Sequence, residues 1–348
     1  MNIQERRIMF EQVFFPQPGE KILLLVDAPH DHLKDSQGWR ERREMAAEWY
    51  ETFHMMGEKT GFSVSLIEYP ATGMHNAPIP SSVIERARQH SLVLAMTTFS
   101  ATSSLLPLCT IRPPLTRCAS MFLVEKRMED TAMRADYHTI KRYAETLKHL
   151  LDDAVEATIA FSTGDELTID LRYRSAGMDN GECTRAGQFI NFPSGEGFKV
   201  PYEGTPREID RYGPSKTEGM LPVLIDGELM TFRIEKNTIV DIIGSGKNTE
   251  KMRIFFKENP TRRNIAELGL GCNPMAQVTG NPLEDEKAGL HIAYGKSTHL
   301  GGSIDSDIHQ DLCYAKGLPV EGTSLTLRTT QDQSVTLIEK GSLRYDIL

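Results

Sequence analysis

Five consecutive apolar residues, Ile22-Leu23-Leu24-Leu25-Val26, run without a polar break from Lys21 into Asp27-Ala28-Pro29. A run of that kind is a strand buried on both faces, which belongs in a parallel sheet with helices packed on either side. The following residues keep to that scheme. Trp39, Met45, Trp49, Phe53 and Met56 recur at helical spacing as far as Gly57, and Phe62–Tyr69 reads as a second strand. A helix over about Ser82–Gln89 then leads to a third strand, Leu92–Thr97. Strand, helix, strand, helix, strand implies parallel pairing through right-handed crossovers.

The period changes further along. Asp136 to about Val155 reads as a helix, with Ile140, Leu147, Leu151 and Ala154 on one stripe. After Thr158, Leu167, Ile169, Leu171 and Tyr173 alternate with polar residues, the pattern of a half-buried strand in an antiparallel sheet. Strands are also expected at Leu221–Ile225, Leu229–Ile234 and Thr238–Ile243, with turns at Asp226-Gly227 and Glu235-Lys236-Asn237. At 348 residues the chain has room for two domains. The expected fold is an α/β N-terminal domain with a parallel sheet over 1–157, then an α+β metal-binding catalytic domain with a mostly antiparallel sheet over 158–348.

A formal net charge of -9 leaves no broad cationic surface for nucleic acid or an anionic membrane, and points to peptides or small molecules as partners. No apolar run approaches the roughly 18 residues that span a bilayer. Nor does an apolar segment of signal-peptide type follow Met1–Arg7, so a cytoplasmic location is expected. Cys109, Cys118, Cys183, Cys272 and Cys313 are odd in number and lack C-x-x-C spacing, which suits free thiols. The loop Asp27–His32 reads as a polar strand-to-helix connection. Gly244-Ser245-Gly246-Lys247-Asn248 lacks phosphate-loop spacing and reads as a turn.

Chemistry concentrates near the C-terminus. His309 and Asp311 are spaced i, i+2, which on an extended segment puts both side chains on one face. His291 lies in the buried strand pattern Leu290–Tyr294. Glu267 stands among Ile265, Ala266 and Leu268 with Gly269, Gly271 and Pro274 behind it, which reads as a carboxylate on a tight, largely buried turn. A buried carboxylate without a partner costs several kcal/mol, and a metal ion is a common remedy near a histidine. Imidazole mixed with carboxylate suits catalytic Zn, Co, Mn or Fe better than a structural zinc site, which prefers cysteine.

The runs Arg263–Pro274, Thr279–Lys287, His291-Ile292-Ala293-Tyr294-Gly295, Gly301-Gly302 and Ile308-His309-Gln310-Asp311 resemble the signature of the thermophilic metalloprotease family. These are metallo-aminopeptidases of the aminopeptidase T and aminopeptidase S type. Asn191–Pro201 is similar to that family's upstream Asn-x-Pro-x-Gly-Glu motif. The resemblance implies a homodimeric, two-metal exopeptidase. Glu196, Glu267, His291, His309 and Asp311 would ligate two Zn, Co or Mn ions, with Glu267 bridging them as a catalytic carboxylate. The family's oxyanion-steadying tyrosine has no counterpart in Lys296-Ser297-Thr298-His299-Leu300, which leaves His299 or Tyr294 for that catalytic role.

The chain is also similar to 2,5-dihydroxypyridine dioxygenase. That resemblance implies one Fe(II) on His309 and Asp311, with His291 or His299 replacing the histidine that falls at Glu267. A third alternative is a small-molecule binding relative without catalysis.

Overall fold

The computed structural model describes all 348 residues and divides into two compact units. The first comprises Met1–Lys141, Asp179–Ser194 and Asn273–Gln277; the second comprises Arg142–Met178, Gly195–Cys272 and Val278–Leu348. The chain enters the second unit inside the helix Tyr137–Asp153, ahead of the expected boundary after residue 157.

In the first unit the strands Ser63–Pro70, Lys21–Ala28, Leu92–Met96, Arg117–Ser120 and Phe189–Asn191 lie side by side in that order, every neighbouring pair parallel. Ile22 to Leu25 are fully buried and Val26 nearly so, as an unbroken apolar run requires. Leu23 and Leu25 pack with Val83, Ala87, Leu105 and Leu108 on one side. Each such side chain contributes about 1.5–3 kcal/mol by leaving water. The helix Gln37–Thr60 starts where Ser36 accepts the Trp39 amide and stops at Gly61, whose φ of 88° no other residue adopts cheaply. Its buried stripe includes the expected Trp39, Met45, Trp49, Phe53 and Met56. Phe53 stacks on Phe10 of the helix Ile3–Val13, which the apolar spacing had not marked.

The second unit holds two sheets. Eight antiparallel strands run in the order Thr238–Ile243, Glu228–Glu235, Glu218–Ile225, Glu166–Asp170, Ala154–Phe161, Gly322–Thr329, Ser334–Glu339, Ser342–Leu343. Both expected hairpin turns are present. Asp226-Gly227 and Lys236-Asn237 each take positive φ at two successive residues, the twist that closes a two-residue hairpin. The strand over 167–173 is shorter than its alternation suggests. It ends at Asp170, whose carboxylate accepts from Arg172 and from the Lys216 amide, and Tyr173 turns to a φ of 62° and is exposed.

The smaller sheet has the order His309–Cys313, Leu290–Gly295, Ile265–Gly271, Glu196–Lys199, Ala176–Asp179. Leu268, Leu270, Leu290, Ile292 and Tyr294 join Ile159, Ile169, Leu221, Phe232 and Leu325 of the larger sheet in one buried core. That leaves the other face of the small sheet to different chemistry.

Candidate metal centre

Side chains alternate across a strand, so burying Leu268, Leu270, Leu290 and Ile292 turns Glu267, Gly269 and His291 to the opposite face. Register does the rest. Glu267 stands opposite Ala293 and Ala293 opposite Asp311, while Gly269 pairs with His291, Gly295 with His309 and Gly271 with Glu196. Glu196, Glu267, His291, His309 and Asp311 therefore come together on one face, from four neighbouring strands that are far apart in sequence.

Ile265–Gly271 is a fully buried strand and not the expected turn. Its glycines serve close approach. A Cβ on Gly269 would fall 1.9 Å from His291 Nε2, so the imidazole lies directly over bare backbone. A Cβ on Gly271 would fall 2.2 Å from the Glu286 carbonyl oxygen. Both positions exclude every other residue without any turn being involved.

The two oxygens of Glu267 face different histidines. Oε2 is 3.1 Å from His309 Nε2, which is also 3.5 Å from Asp311 Oδ1. Oε1 is 3.7 Å from His291 Nε2, which is also 3.5 Å from Glu196 Oε2. Each imidazole thus meets one carboxylate of its own and one oxygen of a shared carboxylate. His309 Nδ1 donates to the Lys296 carbonyl (2.7 Å), which fixes the tautomer and frees Nε2 as a ligand. Lys287, fully buried, reaches Glu196 Oε1 at 2.7 Å and Glu286 Oε2 at 3.3 Å.

Charge on this face is out of balance in one direction. Burial opposes a charge on His291, yet Glu267 and Glu196 push it up to about 9. His309 is likewise raised well above its ordinary value against burial, by Asp311 and Glu267. Burial also opposes ionisation of Glu267, but both histidines outweigh it and hold the carboxyl well below the usual range. Burial, with the charge of Asp311, pushes Glu286 up to about 8. The carboxylates draw positive charge to this face, and divalent cations meet the same demand.

The residues fit such cations. Glu196 Oε2 is buried and makes no hydrogen bond, a cost that a cation removes. Ligand atoms of Glu267, His309 and Asp311 all lie within 4.8 Å of one another. The donor set of three carboxylates and two imidazoles suits Zn, Co or Mn.

The two other candidates part company. His299 sits exposed on the short turn Thr298–Leu300, its ring perpendicular to His309 with centroids 4.7 Å apart. Glu203, which the sequence reading passed over, holds this loop. It accepts from Ser297 Oγ, from the Ser303 amide at 2.7 Å and from Arg174 at 3.0 Å. Tyr294 is on the wrong face: three residues from His291 along the strand, it packs in the core against Phe232 and Phe256 and does not reach the ligand cluster. Tyr294 therefore has no oxyanion role in this geometry.

The remaining motifs behave as ordinary structure. Asp27 accepts from Trp39 Nε1 and from the amides of Thr98 and Phe99, organising a loop. At the N-terminus of the helix Lys247–Glu258 the carboxylate of Glu228 takes the Asn248 and Thr249 amides, where a phosphate would need them. All five cysteines are free, and no helix is long and apolar enough to cross a membrane.

No protein-family model matches the chain, and no curated protein matches it. Among solved structures, 2,5-dihydroxypyridine dioxygenase from Pseudomonas putida superposes with a TM-score of 0.70 at 18% identity, covering 99% of this chain and 98% of its own. AmpT from Thermus thermophilus superposes with a TM-score of 0.61 at 14% identity, covering 98% of each chain. The two-unit α/β architecture is therefore shared over its full length with both. At such identities the likeness establishes the fold, and the activity has to be argued from the site.

Proposed function

We propose that the chain is a metallo-aminopeptidase that removes N-terminal residues from peptides at a two-cation centre. One observation carries this reading: Glu267 presents Oε2 to His309 and Oε1 to His291, and each histidine has a second carboxylate, Asp311 and Glu196 respectively. A shared carboxylate between two equivalent donor sets is the arrangement of a two-metal hydrolase. His309, Asp311 and Glu267 would hold one divalent cation and His291, Glu196 and Glu267 the other. When bound, the pair supplies Lewis acidity for a peptide carbonyl and lowers the pKa of a water to near neutrality.

The chain's own residues do the remaining work. The Lys296 carbonyl and the buried sheet hold His309 in one tautomer and orientation. Gly269 keeps His291 flat on the strand, and Lys287 fixes one oxygen of Glu196 so that the other points at His291. His299 stands beside His309 on a loop tied down by Glu203, and desolvation with the charge of His309 lowers its pKa to about 4, so it is neutral at pH 7 and suited to take a proton from a water or to steady an oxyanion through its ring N–H. AmpT, a thermophilic aminopeptidase, has this fold, which supports the same reading.

The higher TM-score to the dioxygenase favours a second reading, one Fe(II) cleaving a hydroxylated aromatic ring. The tightest donor group argues against it. Glu267, His309 and Asp311 form one histidine with two carboxylates, whereas a facial triad has two histidines with one. Metal analysis with parallel assays separates the readings. Two cations per chain with amine release from Leu- or Ala-capped peptides support the peptidase, and one iron with oxygen uptake supports the dioxygenase. Neither activity, with a tightly held small molecule, supports a binding protein.

A further inference from the structure

We infer that Glu203 is a positioning residue for the peptidase reaction, acting through the loop 296–308 to keep His299 beside His309. The inference rests on the peptidase reading above and on the role given there to His299, and adds to them a buried group that is not among the candidate cation ligands. Glu203 accepts from five donors. Oε1 takes Ser297 Oγ, the Ile304 amide at 3.4 Å and Asn264 Nδ2 at 3.4 Å, and Oε2 takes the Ser303 amide at 2.7 Å and Arg174 Nη2 at 3.0 Å. A carboxylate is expensive to bury unless its oxygens are hydrogen-bonded, and every one of these partners is a donor.

Three of the five belong to the loop, so its fold and the burial of Glu203 depend on each other. Backbone closes the neck: the Lys296 amide donates to the Ile308 carbonyl at 2.6 Å and the Ser297 amide to the Ile304 carbonyl at 3.0 Å. Beyond the neck, the Leu300 and Gly302 amides both donate to the Ser297 carbonyl, at 2.9 and 3.0 Å, which makes the turn that carries His299. Ser297 is thus the joint, its carbonyl building the turn and its hydroxyl seated on Glu203. Gly302 closes over that contact. A Cβ there would fall 2.3 Å from Ser297 Oγ and 3.0 Å from Glu203 Oε1.

The cation ligand His309 is held differently. It pairs with Gly295 in the sheet and donates to the Lys296 carbonyl at the neck of the loop. Loosening the grip of Glu203 therefore displaces His299, whose ring centroid is 4.7 Å from that of His309, and leaves the ligand face in register. Glu203→Gln does this at constant volume. An amide has one acceptor oxygen, and its NH2 would face donors where the second oxygen stood.

A double-mutant cycle on the full-length, cation-loaded protein tests the inference. Glu203→Gln should keep the wild-type cation content and KM while kcat for Leu- or Ala-capped peptides falls about 10–10²-fold, the cost of a misplaced group. In the His299→Ala background the same change should cost less than about twofold, because its target is gone. In the cation-stripped protein, amide hydrogen exchange at Leu300, Gly302, Ser303 and Ile304 should accelerate in Glu203→Gln while Leu268 in the core strand stays protected.

Losses that multiply in the double variant, a lost cation in Glu203→Gln, or unimpaired kcat in that variant would each overturn the inference. Should Glu203→Gln not fold, Gly302→Ala takes its place in the cycle, since its added Cβ displaces Ser297 from an intact carboxylate. A cation-loaded wild type that releases no amine would overturn the peptidase reading itself, and the inference with it.

Discussion

Replacing Gly269 by Ala is a one-atom test of how the centre is built. The added Cβ would stand 1.9 Å from His291 Nε2, 2.3 Å from Cε1 and 2.5 Å from Cδ2, so the whole ring has to leave its place over the strand. Gly269 is fully buried, with Leu268 and Leu270 in the core on either side, so the backbone has little freedom to yield. Overpacking of this kind costs about 1–3 kcal/mol, which for a unit of 150–250 residues lowers the melting temperature by about 2–12 °C. The larger effect is local. His291 loses its alignment with Glu196 and Glu267, while His309 and Asp311 on the far strand are untouched. Elemental analysis after dialysis should find about one divalent cation in the variant against two expected in the wild type, with turnover lost by orders of magnitude. Two cations and unimpaired turnover in Gly269→Ala would refute the placement of His291 as a ligand.

Other expectations follow from the same geometry. His299→Ala should keep both cations and melt within about 0.5 kcal/mol of the parent, since the side chain is exposed, while peptide turnover falls about 10²–10⁴-fold. Tyr294→Phe should leave cation content and turnover unchanged, because the ring packs against Phe232 and Phe256 away from the centre. Glu286 has a folded pKa raised from 4.5 to about 8, so its contribution is fully present below pH 4.5 and is lost as pH rises toward 8. Thermal melts of the cation-stripped protein should show stability falling across that window, and Glu286→Gln should flatten the fall.

Much of this arrangement is legible in the chain. The run Ile22–Val26 and the alternation after Thr158 report burial on two faces and on one, which is all that separates a parallel from an antiparallel sheet at this level. Glu196, Glu267, His291, His309 and Asp311 stand out because charged or imidazole groups interrupt apolar or glycine-rich runs. Gly269 and Gly271 mislead for a physical reason: a glycine that admits a neighbouring side chain looks the same in sequence as one that turns the chain. Tyr294 could have been placed correctly, since an odd separation from His291 along a strand puts it on the other face. Lys287 and Glu203 were not legible. Each sits in a polar stretch typical of solvent, and only register and long-range packing bring them into the interior. Periodicity is equally silent on the returns of Asp179–Ser194 and Asn273–Gln277 to the first unit, because short segments carry too few residues to show a period.

The central claim is that Glu267 joins two cation positions on one sheet face. Anomalous diffraction from crystals grown with Co(II) or Zn(II) tests it most directly. Two peaks are predicted, about 3.5–4 Å apart as in two-metal sites generally, one beside His309 and Asp311 and one beside His291 and Glu196, with an oxygen of Glu267 on each. A single peak held by both histidines, or two peaks with Glu267 turned away from either, would contradict it.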